Sequence, residues 1–192
     1  MTTTKRRVLD AAIDLLGTEG LRALTHGRVD ERAGVAKGST SNYFRTREAL
    51  ITGVAEWIAQ YEMPGVEHAT QPRTVDEFVD AVCALVEVTT TGAHRTLTAA
   101  RLVLFLEANH NDDIRRVITA GRATMESAVV VSLAGLGAKD PQIAARAIMA
   151  CCEGINLHRI ARHDTTDARP LLEMVIRAAL PTAVDAKPPS AG

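Results

Sequence analysis

Apolar residues recur at steps of three and four along most of this chain, the spacing of helices that bury one face. Val8, Ala11, Ala12, Leu15 and Leu16 predict a first helix over residues 5 to 16, ended by Gly17 and Gly20. Thr25 fits the N-cap of a short second helix carrying Val29 and Ala33, and Gly34 can leave that helix in a left-handed conformation. The run KGSTSNYF over 37 to 44 predicts another short helix, so residues 25 to 44 read as helix, tight turn, helix. A fourth helix starts at Thr46 to Glu48 and places Leu50, Val54, Trp57, Ile58 and Tyr61 on one broad face, with Pro64 and Gly65 expected to stop it.

The pattern continues to the C-terminus. Thr74 followed by Glu77 is a capping box opening a fifth helix through Val75, Phe78, Val79, Val82, Leu85 and Val86, closed by Gly92. The segment from Ala93 to Ala108 is apolar nearly all round, the mark of a helix buried on several sides. Asn111 caps a long seventh helix that ends in AGLGA. Asp140 and Pro141 start an eighth helix reaching Arg162, and residues 168 to 180 form a ninth, ended by Pro181. The tail beyond residue 181 is expected to be flexible. The expected fold is all-α, with about nine helices.

Composition supports that reading: the 192 residues are 46% apolar and only 3% aromatic, too apolar for a disordered chain. The net charge of −1 hides an asymmetry. Residues 1 to 47 carry nine basic and five acidic groups, a net of +4 that leaves −5 for the remainder. A basic head on an acidic body suits a polyanion-binding segment joined to a separate ligand-binding or partner-binding one. Cys83, Cys151 and Cys152 have no metal spacing and read as reduced core thiols. The N-terminus lacks the apolar run of a signal peptide, no stretch approaches a membrane span, and a cytoplasmic protein without a membrane partner is expected.

Helix, turn and helix inside the basic quarter is the pattern of a DNA reader. Val29 and Ala33 lock the two short helices, Gly34 turns the chain and Val35 plugs the gap between them. The second helix then offers small polar residues that can approach a groove, with Ser, Thr and Asn able to bond base edges or phosphates. Tyr43 can reach a phosphate while Phe44 faces inward. The candidate DNA-contacting set is Thr25, His26, Arg28, Lys37, Gly38, Ser39, Thr40, Ser41, Asn42, Tyr43 and Arg47.

Thr25, Val29-Asp30, Ala33-Gly34-Val35, Lys37-Gly38-Ser39, Tyr43-Phe44 and Arg47-Glu48-Ala49-Leu50 occur in the order and at the distances of a known signature. Over residues 5 to 51 the chain resembles the TetR family of bacterial transcriptional regulators. Asp30 departs from the signature, standing where a small Ala is usual, and Ser41 and Asn42 replace an aromatic-rich stretch. The resemblance implies a helix-turn-helix DNA-binding domain over 1–46, a helical ligand-binding and dimerisation domain over 47–181, and a flexible tail over 182–192. It implies a repressor that binds a near-palindromic operator on double-stranded DNA and leaves it when a small molecule binds. It also implies a homodimer formed through residues 141–162 and 168–180, where Ile143, Ala144, Ala147, Ile148 and Ile155 offer one stripe and Leu171, Val175 and Leu180 another.

Candidates for the wall of a ligand cavity are Trp57, Tyr61, Phe78, Phe105 and Met125, with Arg101 and Asn156 as polar anchors. Arg101 shares an apolar face with Leu97, Leu104 and Phe105, so its charge needs an internal partner such as Glu87, Glu107 or Glu153, or an anionic ligand. Sequence offers no nucleophile elbow, phosphate loop, Cys-His pair or metal-ligand set. No catalytic residue, metal or cofactor is therefore expected, beyond an unidentified small-molecule effector. The competing reading is a small helical carrier or enzyme that uses the cavity without binding DNA.

Overall fold

The computed structural model describes residues 2–67 and 71–180, without the side chains of 61–67. Tyr61 and the tail from 181 onward lie outside what is described. Among the described residues there are nine α-helices and no strand: α1 (Thr3–Glu19), α2 (His26–Ala33), α3 (Ser39–Tyr43), α4 (Arg47–Glu67), α5 (Val75–Thr90), α6 (Gly92–Glu107), α7 (Asp112–Gly135), α8 (Pro141–Ala161) and α9 (Arg169–Ala178), with a 3-10 turn at Leu21–Ala23. The all-α expectation is met. Most starts coincide with the caps read from sequence. Glu77 N donates to Thr74 Oγ1 at 3.1 Å while Glu77 Oε2 accepts from Arg73 N at 2.7 Å. Asn111 Oδ1 accepts from Ile114 N, and Asp140 Oδ1 from Ile143 N.

Three glycine and proline readings need correction. α1 runs through Gly17 and stops only at Gly20, whose φ of 79° ends the helix. Gly17 is inside because α6 crosses there: a Cβ would lie 2.2 Å from the backbone oxygen of Thr96. Gly92, expected to close α5, instead opens α6. α4 continues past Pro64 to Glu67; a proline removes one helical hydrogen bond and bends the axis without having to end the helix.

Packing divides the chain into two compact units, Met1–His68 with Thr89–Ala123 and Ala69–Val88 with Thr124–Gly192. In the first, α1 packs on α2 and α6, and the core gathers Val8, Leu15, Leu16, Val29, Leu50, Val54, Leu104 and Ile114. In the second, α5 lays Phe78, Val79, Val82 and Val86 against Leu133, Ala145, Ile148, Leu172 and Ile176. Asp76, Asp80 and Glu87 on the outer side of α5 pair with Arg177, Arg169 and Arg159 at 2.5, 2.6 and 2.7 Å. The Arg177 and Arg169 pairs are exposed and contribute little each, while the Arg159 side chain is largely buried, so the apolar contacts do most to hold this unit together. α7 comes closer to a membrane span in length and composition than the sequence reading allowed. Within it only Ile114 and Leu133 are fully buried, one in each core.

Candidate DNA interface

The basic quarter folds as the sequence pattern predicts. Gly34 ends α2 in the left-handed region at φ 60°, ψ 41°, and its N–H donates to the carbonyl oxygens of Asp30 and Glu31. Arg7 of α1 closes the same end, its Nη2 donating to the carbonyls of Ala33 and Gly34 at 2.6 and 2.9 Å. Thr25 occupies the N-cap of α2 in extended conformation, yet its side chain makes no capping bond.

α3 is held from both ends by α2. Asp30 Oδ2 accepts from Gly38 N at 2.7 Å, and Oδ1 accepts from Thr40 N at 2.8 Å and from the Thr40 hydroxyl at 2.6 Å. At the other end His26 Nε2 lies 2.6 Å from the Phe44 carbonyl oxygen. That oxygen can only accept, so the ring proton sits on Nε2. Phe44 is buried as expected, with its ring against Gly53, where a Cβ would come within 2.3 Å of Cε1. Lys5 Nζ stands 5.6 Å from the ring centroid, a favourable cation–π distance.

The eleven candidate contacts separate into two groups. Lys37, Ser41, Asn42 and Tyr43 are exposed along α3 and its approach, Thr25 is exposed at the start of α2, and Gly38 and Ser39 are half-buried between them. Ser39 Oγ donates to the Ala36 carbonyl, and Tyr43 Oη lies 3.3 Å from Thr2 Oγ1. The remaining four bond to partners within the chain, Arg28 while still exposed at the surface. Thr40 is fully buried against Asp30 and presents nothing to a groove. His26 holds Phe44, Arg47 Nη2 donates to the Leu21 carbonyl at 2.7 Å, and Arg28 pairs with Glu19 at 2.5 Å. Glu19 also binds Arg32, which reaches Asp14 as well. The Arg28 hydrogen bond leads the influences that hold the Glu19 carboxyl below its usual range.

Arg45, outside the candidate set, is also exposed and basic just beyond α3. Sequence reasoning missed the work done by Asp30; the available signal was an acid in α2 at a position facing the polar start of the next helix.

The candidate ligand-wall residues are distributed between the units. Trp57 and Arg101 are half-buried and Phe105 is partly exposed in the first; Phe78 is buried and Met125 half-buried in the second. Asn156 of α8 differs from these. It is 6% exposed, and its Oδ1 finds no hydrogen-bond partner among the described residues. Near it in sequence, the Cys152 thiol is pushed up to about 12 by burial, reinforced by Cys151, Cys83 and Glu153. It is therefore a protonated thiol at neutral pH, unsuited to redox switching.

Comparison with known proteins matches both halves of the chain. The description "Bacterial regulatory proteins, tetR family" fits residues 8–54, and "Tetracyclin repressor-like, C-terminal domain" fits residues 73–182. The HTH-type transcriptional regulator BetI of Brucella melitensis is 26% identical over 174 residues, covering 89% of this chain and 87% of its own length. BetI of Rhizobium meliloti is 24% identical over 157 residues, covering 81% and 77%. Among solved structures, a TetR transcription regulator from Haloarcula marismortui superimposes with a TM-score of 0.81 at 13% identity, covering 94% of this chain and all of that one. The multidrug binding protein EbrR complexed with ethidium superimposes at 0.73 and 21% identity, covering 93% and 99%.

Proposed function

The chain belongs to the TetR family and is a DNA-binding transcriptional regulator; from that premise we propose that it is a repressor released from a near-palindromic operator by a small molecule. The observation that carries this reading is the short α3, which turns Ser41, Asn42 and Tyr43 outward beside Lys37 while its remaining polar side chains are satisfied within the protein. In this reading residues 1–46 bind DNA, and 47–181 bind ligand and a second copy. Lys37, Tyr43, Thr25 and Arg45 meet phosphates, and Ser41 and Asn42 meet base edges. Lys37→Ala is expected to weaken binding to a duplex enriched by the protein from a random pool, and to flatten the log–log salt slope by about 0.9. If no sequence is enriched, or the slope is unchanged, the assignment fails. Enrichment also decides against the carrier or enzyme alternative, which needs no DNA.

The second copy is proposed to pack on α8 and α9. The periodic residues of α8 split into two faces: Ala144 and Ile148 of the expected stripe are buried in their own unit, as is Leu180 beyond α9. The outward stripe is Ile143, Ala147, Ala150, Gly154 and Leu157, continued on α9 by Leu171 and Met174. Ile143 is 66% and Met174 63% exposed, apolar area that a dimer would remove from water.

Asn156 is proposed as an anchor for the effector. A buried carbonyl without a donor costs about 1–3 kcal/mol, which a ligand N–H or O–H would offset. Asn156→Leu is expected to raise the melting temperature of the ligand-free protein while abolishing retention of any small molecule that mass spectrometry finds with the wild type. A lowered melting temperature with retention intact would sink this role.

A further inference from the structure

We infer that Asp30 is a positioning residue for DNA recognition: from α2 it fixes the angle at which α3 meets a groove. Five residues are too few for a helix to hold itself, and Gly38 at its N-cap has no side chain with which to satisfy the first turn. Asp30 supplies that cap across the turn, filling both oxygens with three donors of Gly38 and Thr40. Facing outward, an acid in a basic head would repel phosphates. At 4% exposure and aimed at the positive end of α3, its charge is spent inside the protein. Burial pushes this carboxyl up; the Thr40 hydroxyl, the Thr40 and Gly38 amides and His26 pull it further down, leaving it below the ordinary 3.8. A group lowered on folding contributes its stability in full above that ordinary value and loses it as pH falls through the folded one, so at neutral pH the constraint is complete. With His26 on the Phe44 carbonyl, α2 grips both ends of the reading helix.

Sequence discrimination therefore depends on a side chain that touches no DNA. The proposal rests on α3 being the reading element, and the test separates the two. Wild-type protein first selects a duplex from a random pool; if it selects none, the DNA-reading assignment fails and the role of Asp30 goes with it. Affinities of Asp30→Ala, Asp30→Asn and Thr40→Val are then measured on that duplex and on a scrambled one of equal length, at a temperature where circular dichroism shows each protein fully folded. Asp30→Asn keeps an acceptor for Thr40 but turns an NH2 toward the Gly38 N–H, and Thr40→Val removes one bond of three. On the selected duplex the expected losses are about 100-fold for Asp30→Ala, about 10-fold for Asp30→Asn and a few-fold for Thr40→Val, following the cost of one to several buried hydrogen bonds. On the scrambled duplex all three should stay within about twofold of wild type, because that binding is read by charge alone. Equal losses on both duplexes, or folded Asp30→Asn binding both more tightly once the negative charge is gone, would overturn the inference. If Asp30→Ala does not fold, the other two variants decide.

Discussion

Gly17→Ala should destabilise the protein by about 2–3 kcal/mol, although alanine inside a helix normally gains about 0.5–1 kcal/mol over glycine. The sign reverses because the added methyl would stand 2.2 Å from the Thr96 backbone oxygen and 2.8 Å from its Cγ2. A backbone oxygen cannot rotate away as the Phe44 ring facing Gly53 can, so α1 and α6 must separate. α1 is the helix whose Lys5 and Arg7 support Phe44 and the end of α2, so the loss reaches the DNA-facing turn. Thermal unfolding should show a fall of about 5–10 °C for a chain of this size. Hydrogen exchange should place the loss in α1, α2 and α3 and spare α8 and α9. Gly27→Ala is the control: nothing lies within 4 Å of a Cβ there, and a small gain is expected. Equal stability of Gly17→Ala and wild type would mean that α1 and α6 can separate at this crossing at little cost.

This crossing marks where sequence legibility ends. Periodicity located the longer helices because each buries apolar residues at helical spacing, the short polar α3 was legible only from the turn before it and its small polar run, and caps at Thr74, Asn111 and Asp140 fixed starts because their oxygens answer a local need three residues on. Glycine often ends a helix, so Gly17 reads locally as a terminator; its real constraint comes from Thr96, far along the chain, which no local pattern reports. The same limit applies in the head. Small polar residues over 37–44 pointed to the reading helix, yet which of them faces outward depended on where Asp30 spends its bonds, and Thr40 changed sides accordingly. Arg28 and Arg47 were legible as basic but not as partners of Glu19 and the Leu21 carbonyl. On α8, spacing alone could not separate the core face with Ala144 and Ile148 from the outward one with Ile143 and Gly154, because two helical stripes one residue apart look alike in sequence.

Gly154 turns that outward face into a decisive measurement. Within one chain a Cβ at this position meets nothing inside 4 Å, so a side chain can leave the backbone here, and circular dichroism of Gly154→Trp is expected to show a folded protomer. If a second copy packs on Ile143, Ala147, Gly154 and Leu157, an indole at the centre of a small-residue stripe holds the helices apart. Sedimentation should then show monomers at concentrations where wild type is dimeric. Two heads on one operator bind with an effective-concentration advantage of about 10²–10⁴, so the selected duplex should be held at least about 100-fold more weakly. Affinity for a half-site duplex, which one head can occupy, should stay near wild type. The pairing of those two results is what separates lost dimerisation from damage to the head. Gly154→Ala gives the graded case: helix propensity favours it by about 0.5–1 kcal/mol, so the protomer gains stability while the dimer, asked to admit two extra methyls, weakens. A Gly154→Trp protein that stays dimeric and binds the selected duplex as wild type does would move the interface off α8, and with it the reason for so much exposed apolar surface on that helix.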